Sequence, residues 1–502
     1  MELAHDDEVV QKMQMGHNVA DEGAAALQGQ SLTYDVEEER RLVRRLDFIL
    51  LPMMACGTGL QLVDKSALGS AATLTIQKDL GLHGTQYSWA VSIYYFGLLL
   101  GTYPANLLLQ RYHVGKIVAI AFVCWGAVML GHAGVHSFGA LAAVRFLLGF
   151  FESAMAPGFT ATTARFYNQT EQPLRYSLWT LANTLFPIPF LLIFFGIGKA
   201  SDVPLQPWRW IFIMLGILTV FLGVGIWFFF PDKPSTTWWL TERQRAVCVE
   251  RVAKTQVGIK NTKFKKRQML EALTDLKVWL ICFLLVFQQA GVSLQTNFSG
   301  IIIKGFGFSG LKSLLLQIPG WAAASITVIS TGFFVTHNKF MQRAKTVFAV
   351  LTVTCGAILY THPPSSTGRN KALSLVILWM IVDEIDPIIL SLAGQNFAGS
   401  SKKQTVLTML FVMYCVSNIC VPQSFVAKQS PAYSDGILTV MAFQAAHIVT
   451  NIWLFFLARF ENARRDKVAP LQTGNAEDDQ DAIWAGLEDE TDKRNMRFRY
   501  HV

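Results

Sequence analysis

Residues 209–230 read RWIFIMLGILTVFLGVGIWFFF, and this apolar run stops at the sequence PDKP of residues 231–234. A helix needs about 20 apolar residues to cross the hydrocarbon core of a membrane at a rise of 1.5 Å per residue. A basic, hydrophilic stretch continues from there to Lys277, and a second apolar run begins at residue 278. The segment therefore predicts a membrane-spanning helix on each side of a polar linker.

Similar apolar runs occur along the whole chain, six before the linker and six after it. Soluble proteins rarely contain one such run, so the pattern predicts an all-α membrane protein with 12 transmembrane helices in two six-helix bundles. The composition agrees, with 52% hydrophobic and 16% charged residues. The predicted spans are 46–68, 87–109, 116–135, 138–159, 177–198, 209–230, 278–299, 312–334, 345–361, 372–393, 405–426 and 437–459.

The runs divide the chain into two predicted bundles, 46–230 and 278–460, joined by the basic linker 231–277. An N-terminal tail with an amphipathic helix (1–45) and a C-terminal tail (461–502) flank them. Lys and Arg are concentrated in the linker and in the loops on its side of the membrane. By the positive-inside rule, both termini and the linker are expected in the cytosol of a multi-pass cell-membrane protein.

The sequence contains no pattern that indicates an enzyme. It has no nucleotide-binding glycine loop, no nucleophile elbow and no metal-spaced cluster of His and Cys. Six of the seven cysteines fall in apolar runs and none forms a CxxC pair, so neither a disulfide framework nor a zinc site is expected. No cofactor and no metal is therefore predicted. A nucleic-acid partner is not predicted either, because the positive charge lies mostly in short loop segments.

Charged residues inside the spans are the candidate functional residues, because each costs at least ~2.5 kcal/mol to insert. Arg145 and Glu152 lie in the fourth span, seven residues apart. They share one helix face but stand about 10 Å apart along the axis, so each must face another helix or a cavity. Arg145 could bind a substrate carboxylate and Glu152 could carry a proton, or both could form structural ion pairs between helices.

Asp64 and Lys65 lie near the predicted outer end of the first span. Adjacent helical residues point about 100° apart, so these two do not simply pair with each other. One could face Arg145 while the other faces the cavity, or both could be solvated at the membrane surface.

Polar residues of the second half provide further candidates. Asp383 begins the acidic turn Asp383–Asp386 in the tenth span, which either contacts substrate or caps a kink at Pro387. Gln288 and Asn297 in the seventh span could hydrogen-bond a substrate, although such groups also join helices.

Four segments carry a family resemblance. They are residues 101–116 (GTYPANLLLQRYHVGK), 145–158, 207–234 and 393–403 (AGQNFAGSSKK). Together they resemble the fungal allantoate permease-type carriers, in the anion:cation symporter branch of the major facilitator superfamily. The likeness spans about residues 40 to 460 and does not specify the substrate.

The resemblance implies the major facilitator superfamily fold and proton-coupled transport of a small organic anion by alternating access. It implies substrate binding by Arg145 and Lys65, proton coupling by Asp64 and Glu152, and a longer, tilted first helix. Arg111 and Lys116 match a gating motif. Two features depart from the branch: Lys65 replaces the usual Arg, and the acidic turn at Asp383 has no counterpart.

The sequence thus predicts a monomeric, proton-coupled symporter of a small organic anion, such as allantoate, another ureide, a vitamin-type anion or another carboxylate. Two alternatives remain open at this stage. The chain could export a secondary metabolite, or it could sense a nutrient without transporting it.

Overall fold

The computed structural model describes residues 34–168, 170–200, 204–255, 265–336, 341–361, 368–381, 386–429, 433–468 and 490–500. The described part of the chain is all helix and turn, without strands. Among these residues, nine helical runs are long and apolar enough to cross a membrane.

The first half forms helices α1 to α8. Their bounds are α1 Val36–Leu74, α2 Gln86–Arg111, α3 Val114–Gly131, α4 Phe138–Glu152, α5 Met155–Phe166, α6 Gln172–Leu185, α7 Pro187–Lys199 and α8 Pro207–Phe229. Helices α4 and α5 together form the fourth membrane passage, and α6 and α7 form the fifth. Within this N-terminal bundle α3 packs on α8, α2 on α4, and α1 on α6.

The second half contains the remaining helices. The linker forms α9 Glu242–Thr255 and α10 Lys266–Leu273, and the bundle follows with α11 Leu276–Ser293, α12 Ser299–Gly305, α13 Gly310–Leu315, α14 Ile318–Thr336, α15 Met341–Thr361, α16 Gly368–Trp379, α17 Asp386–Asn396, α18 Ser400–Cys420 and α19 Ser434–Val468. A π-helical turn, Leu294–Phe298, joins α11 to α12. In this C-terminal bundle α19 packs on α15 and α11, and α18 on α11.

The predicted all-helical membrane fold is confirmed, and several helical passages extend beyond their predicted spans. Helix α1 runs unbroken through the predicted amphipathic segment and the first span, and continues six residues past position 68. Helix α19 likewise extends to Val468, beyond the predicted end at 459. The residues of α1 before position 46 and of α19 after position 459 are largely charged, and a helix that leaves the hydrocarbon core can continue in water. Residues 69–73 of α1 are small and are buried in the bundle.

The linker lies on one face of the molecule, here named the linker face, where α1, α6, α11 and α18 begin. Arg251 of α9 is buried there and donates to both carboxylate oxygens of Glu171 (2.9 and 3.0 Å) and to the carbonyl of Phe166 (2.8 Å). The opposite face, where α1 ends, is named the far face.

Candidate functional site

Close packing of α2 against α4 builds the centre of the N-terminal bundle. A Cβ atom on Gly97 would lie 2.0 Å from the carbonyl oxygen of Phe146, and one on Gly149 would lie 2.0 Å from that of Tyr94. Only glycine fits at such distances, because real Cβ contacts begin above about 3 Å. The two glycines thus permit the close approach of α2 and α4, which brings Tyr94 to Glu152.

The predicted span 138–159 implied one continuous helix, but the fourth passage consists of two helices. Helix α4 ends at Glu152, Ser153 and Ala154 form a turn, and α5 begins at Met155. Pro157 has no backbone N–H to donate to Ser153, and the helix is interrupted four residues before it. Glu152 therefore stands at the break in the passage.

Glu152 is the acceptor in a cluster of side chains from α1 and α2. Its Oε1 accepts hydrogen bonds from Gln61 and Tyr94 and lies 3.3 Å from Lys65 Nζ. The Glu152 side chain is fully buried and that of Lys65 is 10% exposed. The second oxygen, Oε2, is buried and has no hydrogen-bond partner among the described residues.

Arg145 and Asp64 are buried in the same bundle, at 2% and 1% exposure. Their opposite charges attract each other, although the two side chains form no direct ion pair in the described structure. Trp125 donates its indole N–H to Asp64 Oδ2 at 2.7 Å, and the Arg145 guanidinium lies 5.7 Å from the ring centroid of Phe212. In the described structure Arg145 Nε and Nη2 and Asp64 Oδ1 are buried without hydrogen-bond partners.

The structure distinguishes the two interpretations of Asp64 and Lys65. Their burial excludes solvation at the membrane surface, because α1 continues for ten residues beyond Asp64, or about 15 Å. The two side chains point to different partners: Asp64 accepts from Trp125 of α3, and Lys65 pairs with Glu152 of α4. The bundle thus holds two cations and two carboxylates, of which Lys65 and Glu152 form a direct ion pair.

Gln288 and Asn297, two candidates of the second half, contact polar groups of their own bundle. Gln288 is buried on α11 beside Gln289 (3.4 Å), which in turn accepts from Asn418 of α18 (3.3 Å). Asn297 lies in the π-helical turn, where its amide donates to the carbonyl of Ser293 at 3.3 Å. Asp383 lies outside the described residues. No group of three or more His, Cys, Asp or Glu in the described ranges could hold a metal ion.

The two bundles meet along a seam at the far face. Four side chains donate across it to backbone carbonyls of the other bundle: Tyr87 to Asn297 (2.8 Å), Ser88 to Phe425 (3.2 Å), Ser92 to Ile419 (2.8 Å) and Lys304 to Thr73 (2.8 Å). These bonds join α1 and α2 of the first half to the C-terminal bundle.

At the linker face, the α2–α3 corner is held by Asp232. Its carboxylate lies 2.6 Å from His113 Nδ1, accepts from the backbone N–H of Val114 at 2.8 Å and lies 3.3 Å from Arg165. Partial burial acts to raise the pKa of Asp232, but the His113 and Val114 hydrogen bonds and the Arg165 charge outweigh it, so the pKa is lowered.

The predicted gating residues lie beside this corner but do not bind its carboxylate. Arg111 is exposed at the end of α2, and Lys116 lies 5.9 Å from the ring centroid of Trp227. The contacts of Asp232 with His113 and Arg165 were not predicted from the sequence. The PDKP segment that contains Asp232 was interpreted only as the end of a helix, and its two partners lie far away along the chain.

Comparison with known proteins agrees with this architecture. The Major Facilitator Superfamily model matches residues 54–422. An uncharacterized transporter of Schizosaccharomyces pombe is 34% identical over 93% of this chain and 90% of its own length. The allantoate permease of Saccharomyces cerevisiae is 32% identical over 92% of this chain and 87% of its own length.

Solved structures show the same fold. A D-xylose-proton symporter superposes with a TM-score of 0.62 at 14% identity, covering 81% of this chain and 97% of that protein. A bacterial homolog of the human lysosomal transporter Spinster gives a TM-score of 0.60 at 13% identity, covering 82% and 96%. The expectation of a transporter and not an enzyme is confirmed, and the chain belongs to the Major Facilitator Superfamily as a multi-pass membrane transporter of the fungal permease type.

Proposed function

We propose that this protein is a proton-coupled symporter of a small organic anion in the plasma membrane, with its linker face and both termini in the cytosol. The observation that carries the proposal is a group of four charged side chains within one bundle: the ion pair of Lys65 with Glu152, and the buried Arg145 and Asp64. Buried charges in membrane spans are costly and mark substrate and proton pathways.

Charge balance explains why an anion would move together with a proton. Two cations and two carboxylates give the cluster a net charge of zero when all four are ionised. A bound monoanion would leave one negative charge in the bundle, and an uncompensated buried charge costs several kcal/mol. Protonation of Glu152 or Asp64 removes that charge, so the anion and the proton bind better together than separately.

Arg145 is the proposed anchor for the anion. Its Nε and Nη2 are buried without protein acceptors in the described structure, and its planar fork matches the two oxygens of a carboxylate. Lys65 supplies a second positive charge. Glu152 and Asp64, each with one unpartnered oxygen, are the proposed proton carriers. Gln288, Asn297 and Asp383 stay candidates for contacts to the rest of the substrate.

The test is uptake into proteoliposomes from a panel of labelled small carboxylates and ureides, allantoate included, with and without a pH gradient. Glu152→Gln is expected to abolish accumulation driven by the gradient but to keep exchange of labelled for unlabelled substrate. Arg145→Ala is expected to abolish both.

Lys312→Ala, at an exposed lysine of the far face, provides the matched control and is expected to behave as the unsubstituted protein. Reversal of the gradient separates import from export. Uptake that ignores the gradient, with Glu152→Gln fully active, would falsify the proposal.

A further inference from the structure

The last described segment, residues 490–500, lies against the linker face of the C-terminal bundle. It folds into turns, with the backbone N–H of Arg494 donating to the carbonyl of Thr491 at 3.0 Å and that of Phe498 to Asn495 at 3.2 Å. Thr491, Asp492 and Tyr500 are buried at 2%, 0% and 3% exposure. The proposed transport cycle uses none of these residues.

Asp492 inserts into a charged pocket at the start of α18. Its Oδ1 lies 2.8 Å from Lys402 Nζ and accepts from the backbone N–H of Ala398 at 3.3 Å. Lys402 is fully buried and also pairs with Glu271 (3.0 Å) and Asp275 (2.9 Å). A buried carboxylate in this position is stable only because the ammonium and the backbone N–H compensate its desolvation.

Arg465, at the end of α19, binds the segment along its length. Its guanidinium donates to the carbonyls of Asp492 (2.9 Å), Asn495 (3.1 Å) and Phe498 (2.8 Å). Arg465 is 1% exposed, so these carbonyls supply acceptors that water cannot reach.

The other end of the segment is fixed by Tyr500. Its backbone exchanges two hydrogen bonds with the Asn462 side chain (2.8 and 2.9 Å), and its hydroxyl donates to Asp492 Oδ2 at 2.8 Å. Lys277 Nζ lies 3.3 Å from the centroid of the Tyr500 ring. Two anchors, Asp492 and Tyr500, are thus bound to each other as well as to the bundle.

The groove is built from three distant parts of the chain. Helix α10 of the linker contributes Glu271, which accepts from the Thr491 hydroxyl at 3.1 Å, and α18 and α19 contribute the basic residues. Removal of the segment would leave the buried Arg465 without its three backbone acceptors. The segment therefore fills a binding site on the bundle and is not a tail that only lies beside it.

We propose that the linker face of the C-terminal bundle is a peptide-binding groove whose occupant is the chain's own segment 490–500, anchored by Asp492 and Tyr500. Occupation of the groove clamps α10, the last part of the linker, to the C-terminal bundle. The groove is separate from the proposed substrate cluster and does not depend on its function.

The test keeps the full chain. A protease recognition sequence is inserted within residues 469–489, a dye is attached at the C-terminus, and the folded, purified protein is cut. The freed fragment is expected to stay bound on size-exclusion chromatography. With Asp492→Ala the fragment should leave roughly tenfold faster or more, because Lys402 loses a buried partner.

Asn462→Ala changes the groove instead of the segment and is also expected to speed release, since two hydrogen bonds to Tyr500 are lost. Arg494→Ala is the matched control, because Arg494 is exposed and its side chain contacts no described partner. Thermal unfolding before cutting establishes that each variant is folded. A fragment that leaves the unsubstituted protein as fast as it leaves Asp492→Ala overturns the proposal.

Discussion

Tyr87→Phe tests whether the far-face seam controls the opening of the transporter. The Tyr87 hydroxyl of α2 donates to the carbonyl of Asn297 in the other bundle at 2.8 Å, and both residues are buried. The Tyr87 ring also packs edge-on against Phe298, with centroids 5.6 Å apart at 84°. Phenylalanine keeps the ring contact and removes only the hydrogen bond.

The magnitude follows from the burial of the bond. In the closed seam the Asn297 carbonyl loses its donor, whereas in a state open at the far face water can replace that donor. A buried hydrogen bond of this kind is worth about 1–2 kcal/mol. Since 1.4 kcal/mol changes an equilibrium constant tenfold, the open state should gain roughly fivefold to thirtyfold in relative population.

The assay measures access to the seam. A single cysteine replaces Ser88, which is buried in the seam, in a protein that lacks the seven native cysteines. Its rate of alkylation by a membrane-impermeant maleimide reports opening at the far face. Tyr103→Phe is the control, because Tyr103 lies on the same helix but is 72% exposed. Equal rates in the two variants would refute a closing role for Tyr87.

Three further changes test the packing and the charge network. Trp125→Phe removes the donor to a buried carboxylate and should lower stability by about 1–3 kcal/mol, seen as a lower Tm in detergent. Gly149→Ala should cost about 1–3 kcal/mol through overpacking, whereas Gly139→Ala, with open space around it, should be neutral or slightly stabilising. Burial acts to raise the pKa of Asp275, but the Lys402 charge and hydrogen bond outweigh it and lower the pKa. The lowered pKa stabilises the folded protein above the unfolded-state pKa of about 4. This stability is lost as pH falls through the folded-state pKa. Asp275→Asn removes the titrating group, so Tm should fall less steeply below about pH 4 in this variant.

The membrane-spanning helices could be predicted from the sequence because membrane insertion requires long apolar runs. These runs can be counted without tertiary information. It was less informative about where helices end. The charged residues before position 46 and after position 459 are compatible with helix in water, so α1 and α19 continue past the lipid boundary that hydropathy detects. The break after Glu152 was also missed, although Pro157 gave a local signal for it.

The charged residues of the site could be identified from the sequence because a charge within an apolar span is costly on any face of the helix. Their partners could not be found in the same way. Trp125 and Tyr94 are ordinary aromatic residues within apolar helices, and their role depends on the rotation and depth of α3 and α2 relative to α1 and α4. The docked segment 490–500 was missed because its polar composition is typical of a solvated tail.

Helix α2 connects the proposed proton site to the seam. Tyr94 donates to Glu152, and Tyr87, two turns or about 10 Å away along the same helix, donates across the far-face seam. The glycine contacts bring α2 and α4 close together, so we expect a shift of Glu152 and its partners to move α2 as a whole. Protonation of Glu152 weakens its attraction for Lys65, which holds α4 to α1, and its acceptance from Tyr94, which holds α4 to α2. The charge state of one buried carboxylate would in this way bias the seam without direct contact between them, and Glu152→Gln should change Ser88→Cys alkylation as well as uptake.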